Sequence, residues 1–378
     1  MALPRLRRLF NAMRFAQNLV STTWRQPESV TKLSLREWDL LVRQARAAGL
    51  LARLAHVFRQ HGVAECVPSV ARWHFEAAET LGNKQKIAVR WELQQLRLAL
   101  IDLGCPLIVL KGAAYVAGSL PAAEGRLFND IDIMIPRELI AEAESLLMFA
   151  GWHPTPLSEY DKHYYRRWMH EIPPLQHIHR DSVIDMHHAI LPDTARYHPD
   201  SAKLRNRAVK VDALPGIQIL SVEDRILHSA THLFHDGELP HGLRDLTDLD
   251  LLLRDAASQP NFWIKLCTRA EELQLDRSLY YAFRYLRHFL DTPIPDSVID
   301  QLHTAAPNRI VIALMDCVFT RVLAPAHNSC EDGFTSTARF AAFVRAHWLR
   351  MPFYLLVPHL FHKAFISPFL DNSTAKAT

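Results

Sequence analysis

Two acidic residues, Asp130 and Asp132, lie at the start of an apolar run over residues 131–135. Side chains alternate between the two faces of a strand, so these acids point to one side while Ile131 and Ile133 point into the core. Two carboxylates held so close repel each other, and the arrangement is stable mainly when a cation lies between them. The spacing therefore predicts a metal site, and Mg²⁺ is the natural candidate because it prefers oxygen ligands.

A second chemical feature is Lys111-Gly112, which follows a β-branched apolar run over residues 107–110. Small residues over 113–118 then predict a helix, so the local order is strand, tight turn and helix. A Gly112 amide at the start of that helix, with the Lys111 ammonium beside it, would bind phosphate groups. Mg²⁺ commonly binds through one or two carboxylates together with substrate phosphates. The two features together predict a metal–triphosphate site.

A resemblance to a known family rests on residues in one order: Lys111-Gly112, then Arg126, then Asp130-x-Asp132. This order resembles the pattern of the uncharacterised nucleotidyltransferase family within the DNA polymerase β-like superfamily. Members of the superfamily usually carry Gly-Ser after the first strand, where this chain has Lys-Gly. The resemblance implies an α+β fold, with a small mixed-sheet nucleotidyltransferase core embedded between N-terminal and C-terminal helical regions.

A third strand is predicted over residues 183–188, with Asp185 and His187 on one face. From the pattern alone, an edge strand with a solvated polar face is an equal alternative. Members of the resembled family carry an Asp-x-His strand at about this point, after the paired acids. The resemblance therefore makes Asp185 the third carboxylate of the metal site, beside Asp130 and Asp132.

The roles of these residues are implied by the resemblance. Asp130 and Asp132 would bind the metal ions, with Asp132 as the bridge, and Asp185 would bind the ion that activates the acceptor hydroxyl. The hydroxyl proton would then pass to Asp185 or to water. The nucleotide-binding residues that the resemblance implies are Lys111, Gly112 and Arg126.

The implied reaction is attack of an acceptor oxygen on the α-phosphorus of a nucleoside triphosphate, with pyrophosphate leaving and Mg²⁺ as cofactor. We expect an enzyme that moves a nucleoside monophosphate, with AMP from ATP as the favoured case, onto a hydroxyl of a protein or small molecule. A non-catalytic module that senses nucleotide or regulates a partner is the alternative. Three acids favour the enzyme, because a non-catalytic descendant has no need of converging carboxylates.

Three histidines lie four and three residues apart on a predicted helix: His228, His232 and His235. This spacing places them on one face and can hold a metal. With Asp236, and with Asp245 or Asp248 as a later ligand, the region is also similar to the His-Asp pairs of HD-type phosphohydrolases. In the resembled family, however, Arg244, Asp245 and Asp248 correspond to residues that anchor a helix to the core or line the nucleotide cleft.

The composition indicates a globular protein without a strongly charged surface. At 378 residues, with 49% hydrophobic residues, the chain is long enough for about two domains and can bury a sizeable core. Lys and Arg number 43 against 40 Asp and Glu, for a net charge of +3. We therefore expect no nucleic-acid partner, since binding to a large polyanion usually needs a basic face.

The five cysteines are odd in number, widely spread and free of any CxxC pair. This pattern predicts neither a disulfide framework nor a thiolate zinc site, and a reducing cytoplasm is the expected location. Polar residues interrupt the N-terminal segment where a signal peptide would need its apolar region, so we do not expect secretion. No run of 18 apolar residues predicts a membrane-spanning helix.

Three segments are predicted: an N-terminal helical region over 1–103, the catalytic core over 104–215 and a C-terminal helical region over 216–378. Ser34 followed by Glu37 predicts the capped start of one N-terminal helix.

Two segments near these regions leave alternatives open. Residues 152–173 are aromatic and basic, which predicts an irregular loop over the core or a wall that stacks on a nucleotide or acceptor. The apolar run over 348–358 contains two prolines and is flanked by basic residues. It is expected to pack in the core or against a partner, or to lie at a membrane interface as a peripheral contact.

Overall fold

The computed structural model describes residues 18–156, 158–235 and 237–361. Within them, the chain forms one mixed β-sheet with helices packed around it, which confirms the predicted α+β class. The strands are β1 Leu107–Val109, β2 Ile131–Met134, β3 Trp152–Pro154, β4 Leu175–His177, β5 Val183–His187, β6 Val209–Lys210 and β7 Ile217–Ile219.

The sheet order is β3-β4-β5-β2-β1-β7-β6. β5 runs parallel to β2, and β7 runs parallel to β1, while the other neighbouring strands are antiparallel. The central strand β2 therefore lies between β1, which leads into the Lys-Gly turn, and β5, which carries the Asp-x-His pair. Strand order alone brings the three sequence motifs together.

Helices before, between and after the strands cover the sheet. Their bounds are α1 Leu19–Arg25, α2 Leu35–Ala47, α3 Leu51–Gln60, α4 Ser69–Ala99, α5 Lys111–Ala117, α6 Ile140–Phe149, α7 Glu159–Trp168, α8 Ser201–Asn206, α9 Val222–His235, α10 Gly242–Ala256, α11 Phe262–Glu272, α12 Asp276–Leu290, α13 Asp296–Gln301, α14 Arg309–Val322, α15 Thr335–Arg350 and α16 Phe353–Phe361.

The predicted capping box is present at the start of α2. The Ser34 side chain accepts a hydrogen bond from the Glu37 backbone amide, and the Glu37 carboxylate accepts one from the Ser34 amide at 2.8 Å. The helix ends before Gly49, whose φ of +68° lies in the left-handed region that glycine adopts without strain.

One hydrophobic core runs through all three predicted segments, with Leu41, Val109 and Leu286 among its fully buried members. The sheet also extends beyond residue 215, because β7 pairs with β1 from Leu107↔Ile217 to Val109↔Ile219. The three-segment division stays a prediction, and β7 moves the end of the sheet-forming core to Ile219.

Residues 152–173 are not the irregular loop that their composition predicted. β3 and α7 lie within this stretch, and Arg166 on α7 donates a hydrogen bond to Glu144 on α6 at 2.7 Å. The loop prediction is wrong because these polar and aromatic residues form a strand and a helix, and the helix contacts α6 through a residue 22 positions away in sequence.

The C-terminal helices α15 and α16 expose several large apolar side chains. Trp348 is 61% exposed, Phe353 63% and Tyr354 73%, whereas Met351 is buried. A peripheral contact with a membrane or a protein through this surface stays a prediction. Among the helices that the structure describes, none is long and apolar enough to span a bilayer.

Candidate active site

Asp132 and Asp185 lie side by side on the two parallel strands at the centre of the sheet. The register of β2 and β5 pairs Asp132 directly with Asp185, so both side chains lie on the same face. Asp132 is buried, Asp185 is half-buried, and Asp130 is exposed just before β2 begins. The structure thus brings the two predicted acidic motifs onto one face of the sheet.

The electrostatics of Asp185 indicate strong repulsion among these carboxylates. Burial, followed by the charges of Asp132, Glu171 and Asp130, raises the pKa of Asp185 to about 7. Its Oδ1 atom is buried and has no hydrogen-bond partner among the described residues. An acid in this state favours either a proton or a cation.

Asp132 is held in its charged form by two basic groups. Its Oδ1 atom accepts hydrogen bonds from Lys111 Nζ at 2.7 Å and from His187 Nε2 at 2.9 Å. Burial by itself raises the pKa of Asp132, but the charge of Lys111 and the His187 hydrogen bond outweigh it and hold the pKa well below its usual range. Lys111 remains charged in return, because Asp132 offsets the cost of its burial and raises its pKa.

The turn between β1 and α5 positions Lys111. Lys111 has a φ of +45°, an uncommon left-handed conformation for a residue with a side chain. This conformation ends the extended backbone of β1 and begins α5 at once. The ammonium therefore lies over the neighbouring strand, against Asp132.

Gly112 provides room for Arg126. A Cβ atom on Gly112 would lie 2.7 Å from Arg126 Cζ and 3.1 Å from Phe128 Cδ1. Only a glycine permits the guanidinium to lie against the first turn of α5. Arg126 therefore lies next to the predicted phosphate-binding turn, although its contact with phosphate stays a prediction.

Arg126 also belongs to a buried ion-pair network. Asp248 on α10 accepts a hydrogen bond from Arg126 Nε at 2.8 Å and another from Arg53 Nη1 at 2.6 Å. The exposed fractions of these side chains are 1% for Arg53, 4% for Asp248 and 11% for Arg126. The network ties α3 and α10 to the loop before β2, which agrees with the predicted role of Asp248 as an anchor.

A family model described as uncharacterised nucleotidyltransferase matches residues 34–291. The chain belongs to this nucleotidyltransferase family. The match contains the whole sheet and continues through α12, farther than the sequence motifs alone extend. Neither the curated proteins nor the solved structures gave a match. Membership supports nucleotide transfer from a nucleoside triphosphate as the general activity.

The carboxylates of the nucleotidyltransferase fit a divalent cation with oxygen ligands. The buried Oδ1 atom of Asp185 has no hydrogen-bond partner among the described residues, as expected of an oxygen that can bind a cation. Asp130, Asp132 and Asp185 would supply an all-carboxylate set, which suits Mg²⁺ better than nitrogen-rich sets do. Their assignment as metal ligands stays a prediction.

A Gly112→Ala substitution tests how tightly Arg126 packs against α5. We expect the added methyl group to displace the guanidinium and to cost about 1–3 kcal/mol of unfolding free energy, as overpacking usually does. Gly82→Ala is the matched control, because its Cβ would meet only ordinary contacts such as Ala52 Cβ at 3.5 Å. In the middle of α4, Gly82→Ala should stabilise by about 0.5–1 kcal/mol. Urea unfolding of both variants measures these changes in unfolding free energy. Equal effects in the two variants would contradict close packing of Arg126 against Gly112.

The three histidines of α9 do not converge on one metal site. His228 and His232 face Lys111, and His228 is buried, so burial and the Lys111 charge lower its pKa to about 3. His235 instead bonds the Thr231 carbonyl through Nδ1 at 3.1 Å, as a buried core residue does.

The HD-type interpretation finds no support among the described residues. The group of potential ligands found there does not include the α9 histidines, and Asp248 is committed to two arginines. Asp236 lies outside the residues that the structure describes. His228 and His232 thus contribute neutral imidazoles close to Lys111.

Two residues of the site were missed in the sequence, His170 and Glu171. Glu171 pairs with His187 as an antiparallel bridge, and its carboxylate lies 3.3 Å from His187 Nδ1. No spacing rule connects them to β5, since the contact depends on how the chain returns after α7. The local signal is the His-Glu dipeptide near the end of the aromatic and basic segment over residues 152–173.

Proposed function

We propose that this nucleotidyltransferase moves AMP from ATP onto a hydroxyl group of a protein or small molecule, with Mg²⁺ as cofactor. The observation that carries the proposal is the pairing of Asp132 with Asp185 on adjacent parallel strands, beside the Lys111 ammonium. Asp130, two residues before Asp132, adds a third carboxylate that acts on Asp185 electrostatically. A raised pKa at one member of such a set is a recurring mark of functional sites.

In the proposed reaction the acceptor oxygen attacks the α-phosphorus and forms a P–O bond, while the bond to pyrophosphate breaks. Mg²⁺ bound by Asp130, Asp132 and Asp185 would stabilise negative charge on the entering and leaving oxygens. Asp185 or water would take the acceptor proton, and Asp185 is placed for this role because it lies beside Asp132 and its Oδ1 atom has no hydrogen-bond partner among the described residues. Burial of Asp132 against β1 and β5 keeps the carboxylates in fixed register during the step.

Lys111 would have two roles in this scheme. Without nucleotide, its ammonium neutralises Asp132 at 2.7 Å. A triphosphate carries more negative charge than one carboxylate, so bound nucleotide would draw the ammonium to the β- and γ-phosphates. The turn at Lys111-Gly112 keeps the Lys111 backbone at the end of β1 that lies beside the start of β2, where the acids are. We keep Gly112 and Arg126 as proposed neighbours of the phosphates.

A Lys111→Met substitution should change nucleotide and metal affinity in opposite directions. Loss of one charge-assisted hydrogen bond, about 1.5–3 kcal/mol, should raise KM for ATP by roughly 10- to 100-fold. Mg²⁺ binding without nucleotide should tighten, because Asp132 loses a competing cation. Steady-state kinetics and calorimetric Mg²⁺ titration measure the two effects. Parallel weakening of both affinities would indicate that Lys111 only supports the fold.

The proposed function is tested by incubating the purified chain with each α-³²P-labelled nucleoside triphosphate and Mg²⁺, alone and with cell lysate. We expect label on a protein or small molecule with ATP, and none with the Asp185→Asn variant. Asp181→Asn is the matched control, because Asp181 is an exposed acid in the turn before β5 and should leave transfer unchanged.

A measurement of nucleotide binding by the same samples distinguishes the possible explanations if no transfer is seen. Mg²⁺-dependent ATP binding without transfer to any lysate component would favour the alternative of a nucleotide-sensing module. Absence of both binding and transfer would overturn the proposed site. Label transferred from a different nucleoside triphosphate would support the proposed reaction but would show that the nucleotide base is not adenine.

A further inference from the structure

A group of potential metal ligands lies beside the three carboxylates and differs from them in chemistry. His170, Glu171 and His187 each place one ligand atom within 4.8 Å of the others. Two of the three ligands are imidazoles, whereas the proposed Mg²⁺ site consists of carboxylates alone. His187 connects the two groups, because its other ring nitrogen bonds Asp132.

The backbone holds this group on the sheet. After α7 the chain runs antiparallel to the end of β5, where Ile172 donates its amide hydrogen to the Met186 carbonyl at 3.0 Å. The His188 amide donates to the His170 carbonyl at 2.9 Å. Glu171 faces His187 through an isolated antiparallel bridge, one residue out of register with the ladder that β4 makes with β5. These backbone hydrogen bonds hold residues 170–172 against the end of β5.

The hydrogen bonding of His187 leaves one nitrogen available to a metal. A carboxylate oxygen can only accept, so the Nε2 atom donates to Asp132 Oδ1 at 2.9 Å. In the neutral ring the lone pair is then on Nδ1, which is buried without a hydrogen-bond partner among the described residues. Glu171 Oε2 lies 3.3 Å from Nδ1, yet the two atoms do not form a hydrogen bond. His170 Nδ1 is likewise buried and unpartnered there.

The distance between Glu171 and His187 suits two ligands of a tetrahedral ion. Two ligands at about 2.0–2.1 Å from a tetrahedral Zn²⁺ are roughly 3.3–3.4 Å apart. The Glu171–His187 separation of 3.3 Å has this value, and the His170 ligand atom lies within 4.8 Å of both. Asp132 would then act as the carboxylate that orients a metal-binding histidine, an arrangement common in zinc sites.

We propose that His170, Glu171 and His187 bind one divalent transition metal ion of the Zn²⁺ class, at a site separate from the carboxylate triad. Two imidazoles and one carboxylate form a set that leaves a fourth position open to water or substrate. The competing explanation is a metal-free ion pair in which a protonated His187 lies between Asp132 and Glu171. The proposal goes beyond nucleotide transfer and does not depend on it.

Zinc binding by the full-length, chelator-treated protein tests the proposal. Calorimetric titration with ZnCl₂ in excess Mg²⁺ should give one Zn²⁺ per chain. Glu171→Gln and His170→Ala should each weaken binding by about a hundredfold or more, since each removes one of three protein ligands. His188→Ala and Asp185→Asn should bind as the wild type does, because His188 is the adjacent histidine outside the group and Asp185 belongs to the other site.

Cobalt substitution provides a second measurement on the unaltered chain. Co²⁺ in the wild type should produce visible absorption bands of a low-coordinate nitrogen-and-oxygen site, and Zn²⁺ should displace them. No Zn²⁺ binding in the wild type, or binding unchanged in Glu171→Gln and His170→Ala, would overturn the proposal. Loss of Zn²⁺ in Asp185→Asn alone would assign the ion to the carboxylates and also overturn it. None of these readings requires nucleotidyl transfer, so failure of the proposed function would leave them intact.

Discussion

An Asp185→Asn variant is expected to lose nucleotidyl transfer while its metal-free form is at least as stable as the wild type. The carboxylate lies against Asp132 and has its pKa raised to about 7 by burial and by neighbouring acids. Asparagine keeps the shape and removes the repelling charge. It also removes one of the three proposed metal ligands and the proposed general base.

The expected loss of transfer is about a thousandfold or more, because metal stabilisation of the transition state supplies several kcal/mol and each 1.36 kcal/mol is tenfold. Rates from the radiolabel assay, measured beside Asp181→Asn, give the ratio. Near-normal transfer by Asp185→Asn would remove Asp185 from the catalytic set.

The stability difference should depend on pH in a defined direction. An aspartate in the unfolded chain has a pKa of about 3.9, below the folded value of about 7. Below pH 4 both states are protonated, and the wild type has no penalty at Asp185. As pH rises from 4 to 7 the unfolded state ionises first, so the wild type loses stability relative to Asp185→Asn, and the difference levels off above pH 7.

Solvent around the half-buried group reduces the size of this effect to about 1–3 kcal/mol. Urea unfolding of both proteins in EDTA at pH 5 and pH 8 measures it. A difference that does not change between these pH values would contradict the raised pKa.

An Asp248→Ala variant is expected to be the most destabilised of the substitutions considered. Removal of this carboxylate leaves the buried guanidiniums of Arg53 and Arg126 without their ion-pair partner. Breaking a buried pair in this way costs about 3–5 kcal/mol, since an uncompensated charge remains inside the protein. Arg126 would also lose its fixed position against Gly112, so transfer should fall even where the variant is folded.

Asp245→Ala is the matched control on the same helix. Asp245 pairs with the adjacent Arg244 at a more exposed position, 24% against 4% for Asp248, so its loss should cost less than about 1 kcal/mol. Urea unfolding compares the two variants. Equal destabilisation by Asp248→Ala and Asp245→Ala would contradict the role of Asp248 as the buried partner of the two arginines.

Local sequence was sufficient for the features that depend on strand periodicity and turn chemistry. Alternation placed Asp185 and His187 on one face, and the Lys-Gly pair after an apolar run predicted the turn before α5. The capping box at Ser34 could also be predicted from the sequence, because it needs only two residues three positions apart. Residues 152–173 were predicted wrongly, since a polar and aromatic composition does not distinguish an irregular loop from a strand followed by a helix.

The sequence by itself therefore determined the α+β class, the family and the acidic strands, because these depend on side-chain spacing within each element and on the order of the motifs along the chain. The tertiary structure decided which groups neutralise one another. Lys111 bonds Asp132 across 21 residues, and Arg53 bonds Asp248 across 195. Such contacts depend on the order β5-β2-β1 and on how α10 packs, and a buried charge must find a partner wherever folding brings one. For the same reason, only the folded chain could bring His170 and Glu171 to His187.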